Sequence, residues 1–388
     1  MNDPRQQSAI ETDWAVGMRQ GMPSSTRWAY LDHAAVAPLP SVAAEAINDW
    51  VADALANGAT DWGHWRDRVE RLRCSAAELL GASSEHVAVI RNTTEGVGLV
   101  AEGLDWQPGD NLVVPECEFP SNLYAWQNLK DRGVDVRVLP VHLDHVDYDR
   151  IEAAVDTRTR LVAISWVGFR TGFRIDPARV ARIAHRHDAW LFLDAIQGLG
   201  AFPIDVEAME IDALAADGHK WLLGPEGAGI FYVRPKLLDQ LRPLGLGWNS
   251  VRHAGDFTNT DLDLKPHAGR YEGGTYNMPG IAGLAASVDW FNQLGIERIS
   301  GRILELTTEL SERLESIGAE VASDRSPEHC SGIVSFELSG HSPRDLQRAC
   351  RDRDVVVNSR DGRLRVSPHA YSSSGDIDRL IDVLTGLA

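Results

Sequence analysis

The chain has 388 residues, 44% of them apolar and 24% charged, with a formal charge of −18 at pH 7. That length allows two or three domains with one large core, and that composition excludes wholesale disorder. An acidic surface repels phosphate backbones and anionic lipid, which argues against nucleic-acid and membrane-surface roles, and no apolar run approaches the ~20 residues that span a bilayer.

In chain order, residues 1–17 show no basic start followed by an apolar stretch, so no secretory signal is expected. Short β-rich runs then alternate with helical stretches. Residues 86–90 read as a strand and 91–104 as a loop that opens a helix. Residues 111–115 read as a strand, followed by a helical stretch over 121–133. Further strands are expected at 134–140, 160–165 and 189–194. Between the last two, residues 176–188 have helical spacing, with Asp176 as a cap and Pro177 at the first helical position. Residues 213–217 and 227–233 continue the strand series. This alternation implies βαβ units and a mostly parallel sheet covered on both faces, an α/β fold. After about residue 295 the pattern changes. A long helix over 296–318 leads to a strand at 332–338, a helix through Asp345–Arg353, short strands at 355–358 and 363–367, and a closing helix from 374. The reading is a large domain over 46–294 and a smaller α+β domain over 295–388. Residues 1–45 are too short for a core of their own and are expected to pack beside the smaller domain.

The chemistry concentrates between Ala189 and Gly229. Asp194 and Gln197 stand just past the carboxyl end of a buried strand, the edge where open parallel sheets bind ligands. Lys220 follows the next strand, beside His219 and before Trp221, Leu222 and Leu223. A lysine in such surroundings loses ammonium solvation, so its pKa falls and the neutral amine becomes a nucleophile. Alone, it would more simply extend its charge to water. With the strand-end aspartate, it completes the pair that pyridoxal 5'-phosphate (PLP) needs. The aspartate keeps the pyridine nitrogen protonated, and the lysine forms the Schiff base.

LFLDAIQGLGAFPIDV (191–206) followed by DGHKWLLGPEGAGIFYVR (217–234) resembles the class V aminotransferase family of PLP enzymes. That family includes cysteine desulfurases, selenocysteine lyases, kynureninases and isopenicillin N epimerases. Matching segments run from YLDHAAVAPLP (30–40) to RLRVSPHAYSSSGDIDRL (363–380). The resemblance implies PLP-dependent transferase fold type I, a homodimer and an amino-acid substrate. It makes Lys220 the catalytic lysine and puts Gln197 on the cofactor's phenolic oxygen. Thr93, Thr94 and His219 bind the phosphate, and Phe119 stacks on the ring. Arg365 takes the substrate carboxylate, with Arg363 its near neighbour in the motif. His33 lies at the pocket entrance, or is a cap or solvated loop histidine. Thr275, in RYEGGTYNMPG (270–280), reaches the partner's phosphate across a dimer interface. Each role has a plainer counterpart: a helix cap for Thr93, core packing for Phe119, a surface ion pair for Arg365. Trp62, His64 and Trp65 either line the pocket or pack in the core.

Three positions depart from the family pattern. Asp217 stands where desulfurases have a serine that donates to the phosphate, so it points elsewhere or contacts His219. Phe119 stands where desulfurases have a histidine and kynureninases a phenylalanine. Gly168 or Phe169 stands where many members have an asparagine, leaving Gln197 to supply the phenolic-oxygen hydrogen bond.

A desulfurase needs a nucleophilic cysteine shortly before the carboxylate arginine, and VVVNSRDGRLRVS (355–367) has none. The four cysteines, Cys74, Cys117, Cys330 and Cys350, form no CxxC pair, which fits a reducing cytoplasm and disfavours disulfides or a cysteine zinc site. His185 and His187, like His142 and His145, lack metal-site spacing, so no metal is expected. The reading is an aminotransferase, or a carbon–sulfur or carbon–carbon lyase, without a catalytic cysteine. The alternatives are an epimerase of the isopenicillin N type, a cysteine desulfurase and, outside enzymes, a non-catalytic PLP or amino-acid binding protein.

Overall fold

The computed structural model describes residues 13–386. Most of the stretch read for a secretory signal, residues 1–12, lies outside them. Helix α1 (Asp13–Gln20) and strand β1 (Ala29–Tyr30) precede two long helices, α2 (Ser41–Asn57) and α3 (Trp62–Leu80). The alternation then runs β2 (Val87–Ile90), α4 (Thr93–Gly103), β3 (Asn111–Pro115), α5 (Ser121–Gln127), β4 (Asp135–Leu139), α6 (Tyr148–Ala154) and β5 (Thr159–Ser165). It continues with α7 (Pro177–His185), β6 (Trp190–Asp194), β7 (Ala213–Asp217) and β8 (Gly229–Val233). Helix α7 starts as its sequence requires: the Asp176 side chain accepts from Arg179 N–H, and Pro177 opens the first turn. The helical stretch expected over 121–133 is instead α5 followed by a 3-10 turn at Asn128–Arg132.

The seven strands lie in the order β2-β8-β7-β6-β5-β3-β4. Strands β3–β7 pair in parallel, whereas β8 is antiparallel to both β7 and β2. Two reversals cancel, so β2 runs the same way as β7. The carboxyl ends of β2, β3, β5, β6 and β7 therefore share one edge of the sheet, where open parallel sheets bind ligands. Every residue of β6 is buried, because both faces are covered. Leu191 and Leu193 enter one apolar cluster while Trp190 and Phe192 enter the other.

Helix α8 (Met278–Leu294) packs on α2 and α3. Its Gly283 eases that approach, since a Cβ there would come 2.8 Å from Ile47 Cδ1 and make that side chain shift. Beyond it, α9 (Ile296–Ser316), β9 (Glu320–Val321), β10 (Val334–Glu337), α10 (Pro343–Arg351), β11 (Val355–Val356), β12 (Asn358–Arg360), β13 (Arg363–Val366) and α11 (Ser374–Thr385) complete the chain. The strand read at 355–358 divides between β11 and β12, which serve different sheets. An antiparallel sheet has the order β12-β13-β10-β9, while β11 pairs in parallel with β1, Ala29 opposite Val355. Ala29 and Leu31 share an apolar cluster with Leu306, Leu310, Phe336, Leu364 and Ile377.

Candidate active site

Asp194 ends β6, and Lys220 sits in the turn after β7, the neighbouring strand. Asp194 is buried, and its Oδ1 accepts from Ile196 N–H at 3.1 Å. Burial pushes its carboxyl up to about 6. The Lys220 turn is closed by Leu223 N–H on the Lys220 carbonyl (3.1 Å) and Gly224 N–H on Gly218 (2.8 Å). Leu223 takes a left-handed conformation (φ +53) to do so. Lys220 is 9% exposed, and burial pushes its pKa down to about 8, against the pull of Asp194's charge. The turns after β6 and β7 press together at Gly200 (φ +93), where a Cβ would lie 2.5 Å from the Trp221 carbonyl oxygen. Gln197 joins them too. Its side-chain carbonyl accepts from Trp221 Nε1 (2.9 Å) and its amide donates to the Ala34 carbonyl (3.0 Å). A primary amide has two N–H groups, so one donor remains for another acceptor.

Helix α4 starts at the same sheet edge. Its cap is Asn92, whose side chain accepts from Glu95 N–H at 2.9 Å, not Thr93. The Thr93 hydroxyl instead accepts from Asp217 N–H (2.9 Å), tying α4 to the end of β7. Thr94 donates to Ser121 Oγ at 2.8 Å. Glu95 and Gly96 N–H are taken up by Asn92, which leaves the Thr93 and Thr94 amides at the helix start to suit an anion. Asp217 Oδ2 lies 3.0 Å from His219 Nδ1, while its other carboxylate oxygen has no hydrogen-bond partner. Of the two arrangements open to Asp217, it takes the contact with His219.

Phe119 is 44% exposed, which removes plain core packing as its explanation. Its ring centroid is 5.7 Å from Lys220 Nζ, and Phe169 meets it edge-on at 5.3 Å. The backbone carbonyl of Phe169 also accepts from Arg365 Nη1 (2.7 Å). Arg365 is buried, so it is no surface ion pair; its Nη2 lies 3.3 Å from Asp32 Oδ1, and its Nε has no partner. Arg363 is spent elsewhere, on Glu337 at 2.9 Å.

His33 is a correction. It is fully buried, not at an entrance or in solvent. Nδ1 meets the Ser367 carbonyl (2.8 Å) and Nε2 the Tyr371 hydroxyl (2.9 Å), which leaves no ring nitrogen for a substrate. Burial pushes its pKa down to about 4, so it is a neutral core residue. Thr275 is exposed and lines a cavity of about 690 Å³ with Arg91, Glu95, Gly274 and Tyr276, a cavity whose lining does not include Lys220. Trp62 packs against Trp248, and Trp65 against Trp50.

Residues 29–380 match the family model described as Aminotransferase class-V. The chain belongs to the class V aminotransferase family. A probable cysteine desulfurase of Methanothermobacter thermautotrophicus is 32% identical, with 96% of this chain and 97% of that one covered. The apo structure of a cysteine desulfurase from Thermococcus onnurineus superimposes with a TM-score of 0.88 at 25% identity, covering 100% of this chain and 98% of that one. The cystine C–S lyase C-DES, solved with its reaction product cysteine persulfide, also gives 0.88 at 25% identity, covering 94% and 98%. The protein is a PLP-dependent enzyme of fold type I. Its residues fit that cofactor. Lys220 is a buried amine of lowered pKa, Asp194 a buried strand-end carboxylate, and Gln197 keeps a spare donor.

Proposed function

We propose that this enzyme breaks the carbon–sulfur bond of cysteine or a cysteine derivative and releases the sulfur without passing it to a protein cysteine. The observation that carries the reading is Lys220, a buried amine with its pKa near 8, beside Asp194 and across from Phe119. Such an amine attacks a carbonyl near neutral pH and can take and return a substrate α-proton. When bound, PLP supplies an electron sink for the charge left at the α-carbon. Asp194 keeps the ring nitrogen protonated, and Gln197 donates to the phenolic oxygen. The α4 amides, Thr93, Thr94 and His219 hold the phosphate. Phe119 covers the ring, and Arg365 receives the substrate carboxylate.

The relatives supply the substrate class, since they are named for cysteine and cystine. Those names favour a desulfurase, in which a protein thiol takes the sulfur. The hairpin favours the lyase. Asn358–Val366 is two strands joined by Asp361 and Gly362, both left-handed (φ +49 and +77), a tight turn with no cysteine and no slack. Cys117 and Cys350 are buried, and burial pushes both thiols up, Cys350 to about 12, so neither is a ready nucleophile. With cysteine or cystine as substrate, pyruvate is the expected product. A variant with all four cysteines replaced by alanine is expected to keep turnover within about threefold. Alanine as product, with turnover lost in a folded single-cysteine variant, replaces the lyase by the desulfurase.

We assign residues 46–294 to the PLP-binding domain, 295–386 to the smaller domain and the enzyme to the cytoplasm. The described part of 1–45 is shared, with Ala29 and Leu31 beside Leu306 and Leu364, and Met18, Met22, Ala34 and Ala37 in the cluster of Val69, Leu72 and Leu284. No helix among the described residues is long and apolar enough to cross a membrane. The working form is a homodimer in which Thr275 of each chain donates to the PLP phosphate of the other. A phosphate in a partly dry pocket needs several donors, and Asp217, where desulfurases place one, supplies none. Thr275→Ala is expected to weaken PLP binding about tenfold or more, the loss of one hydrogen bond to a charged group. A monomer by light scattering that is fully loaded with PLP counts against the dimer.

A further inference from the structure

Glu118 is a buried carboxylate that the reaction above does not use. It sits between β3 and α5, one residue before Phe119. Three donors converge on it: Ser165 N–H at 2.7 Å, the Ser165 hydroxyl, and Asn122 Nδ2 at 2.7 Å. Asn122 in turn accepts from Nε1 of the fully buried Trp126 at 2.9 Å, and its own N–H closes the turn on the Phe119 carbonyl at 2.7 Å. Ser165 is the last residue of β5 and stands in register with Asp194. All three contacts donate to Glu118, which its ionised carboxylate accepts in full, whereas a glutamine amide would set an N–H against Asn122 Nδ2. Burial pushes the Glu118 carboxyl up to about 7, the Ser165 hydrogen bonds oppose that rise, and Asp194's charge adds to it.

A carboxylate kept there at such a desolvation cost has something specific to hold. Phe119 is half-exposed and meets Phe169 only edge-on, so packing fixes its ring weakly. Its direction comes from the backbone turn, and the turn is tied to the sheet through Glu118. We propose that Glu118 is a positioning residue: by bolting the 118–122 turn to the end of β5, it holds Phe119 in place to cover the PLP ring beside Asp194. The proposal rests on the ring-covering role assigned to Phe119 above.

The test is a double-mutant cycle read by PLP titration of the apoprotein, with Glu118→Gln, Phe119→Ala and the double variant. Glu118→Gln is expected to weaken PLP binding about tenfold with Phe119 present and less than about twofold in the Phe119→Ala background. Melting of the apoprotein should fall alike in both backgrounds, because the turn's hydrogen bonds are lost in each. Ser165→Ala removes one donor and should act in the same direction with a smaller effect; it carries the same cycle where Glu118→Gln does not fold. An equal loss of affinity in both backgrounds, or no loss in either, overturns the proposal while leaving Phe119's role intact. Unchanged affinity in Phe119→Ala alone overturns the ring-covering role, and the proposal with it.

Discussion

Replacing Lys220 by alanine is expected to remove the borohydride-reducible PLP adduct and to lower turnover roughly 10⁴-fold or more, the scale of a lost nucleophile that is also the proton carrier. Residues 191–234 hold no other lysine. Lys220 is fixed by its turn at the end of β7, beside Asp194 and 5.7 Å from the Phe119 ring centroid. Lys220→Arg keeps the positive charge but not an amine that can lose its proton near neutral pH, so it should fail equally. The lowered pKa adds a second observable. Only the neutral amine attacks, so the rate at which apoprotein takes up PLP should rise about tenfold per pH unit below 8 and level off above it, as follows from a pKa of about 8. Burial favours the neutral form, which is why the plateau comes well below the 10.5 of a solvated lysine. A retained adduct in Lys220→Ala, or a loading rate flat from pH 6 to 9, removes Lys220 from the role.

What the sequence revealed and what it hid follow from locality. Strands β6 and β7 are buried on both faces, so they are continuous apolar runs that could be read directly, each ending on its aspartate. The Asp176–Pro177 start of α7 was legible because a cap and its acceptor lie within one turn. Helix α8 is hidden in the sequence, because its Met-Pro-Gly start and internal glycines resemble a loop; of these, Gly283 serves the close approach to α2, a contact that only the fold reveals. His33 went astray for the same reason. A histidine in a loop motif is exposed or buried according to remote partners, here Ser367 and Tyr371 from the far end of the chain. Glu118 left little local signal, since its Asn122 contact is near in sequence but its Ser165 donors come from another strand. The Asp217–His219 contact, spanning two residues, was among the readings the sequence allowed.

Loss of Arg365 should be felt by substrates that carry a carboxylate and by no others. The guanidinium is buried and already oriented: Nη1 donates to the Phe169 carbonyl, Nη2 lies against Asp32, and Asn358 Nδ2 steadies Asp32 at 2.8 Å. Its Nε–H is buried with no acceptor, an unmet donor that a carboxylate would satisfy. Arg365→Met is therefore expected to cost about 2–5 kcal/mol of binding to cysteine, the scale of a truncated buried charge pair. That is roughly 30-fold to several thousandfold in kcat/KM. Cysteamine, which lacks the carboxylate, should change less than about threefold. The variant also strands Asp32. Burial raises its pKa and Arg365's charge opposes that rise, so removing the arginine drives Asp32 toward its protonated form and lowers stability. Asp32→Asn combined with Arg365→Met removes both charges and should recover part of the stability without recovering the preference for cysteine over cysteamine. Equal losses on the two substrates would make Arg365 a structural arginine, and undiminished selectivity would move carboxylate recognition to another residue of the pocket.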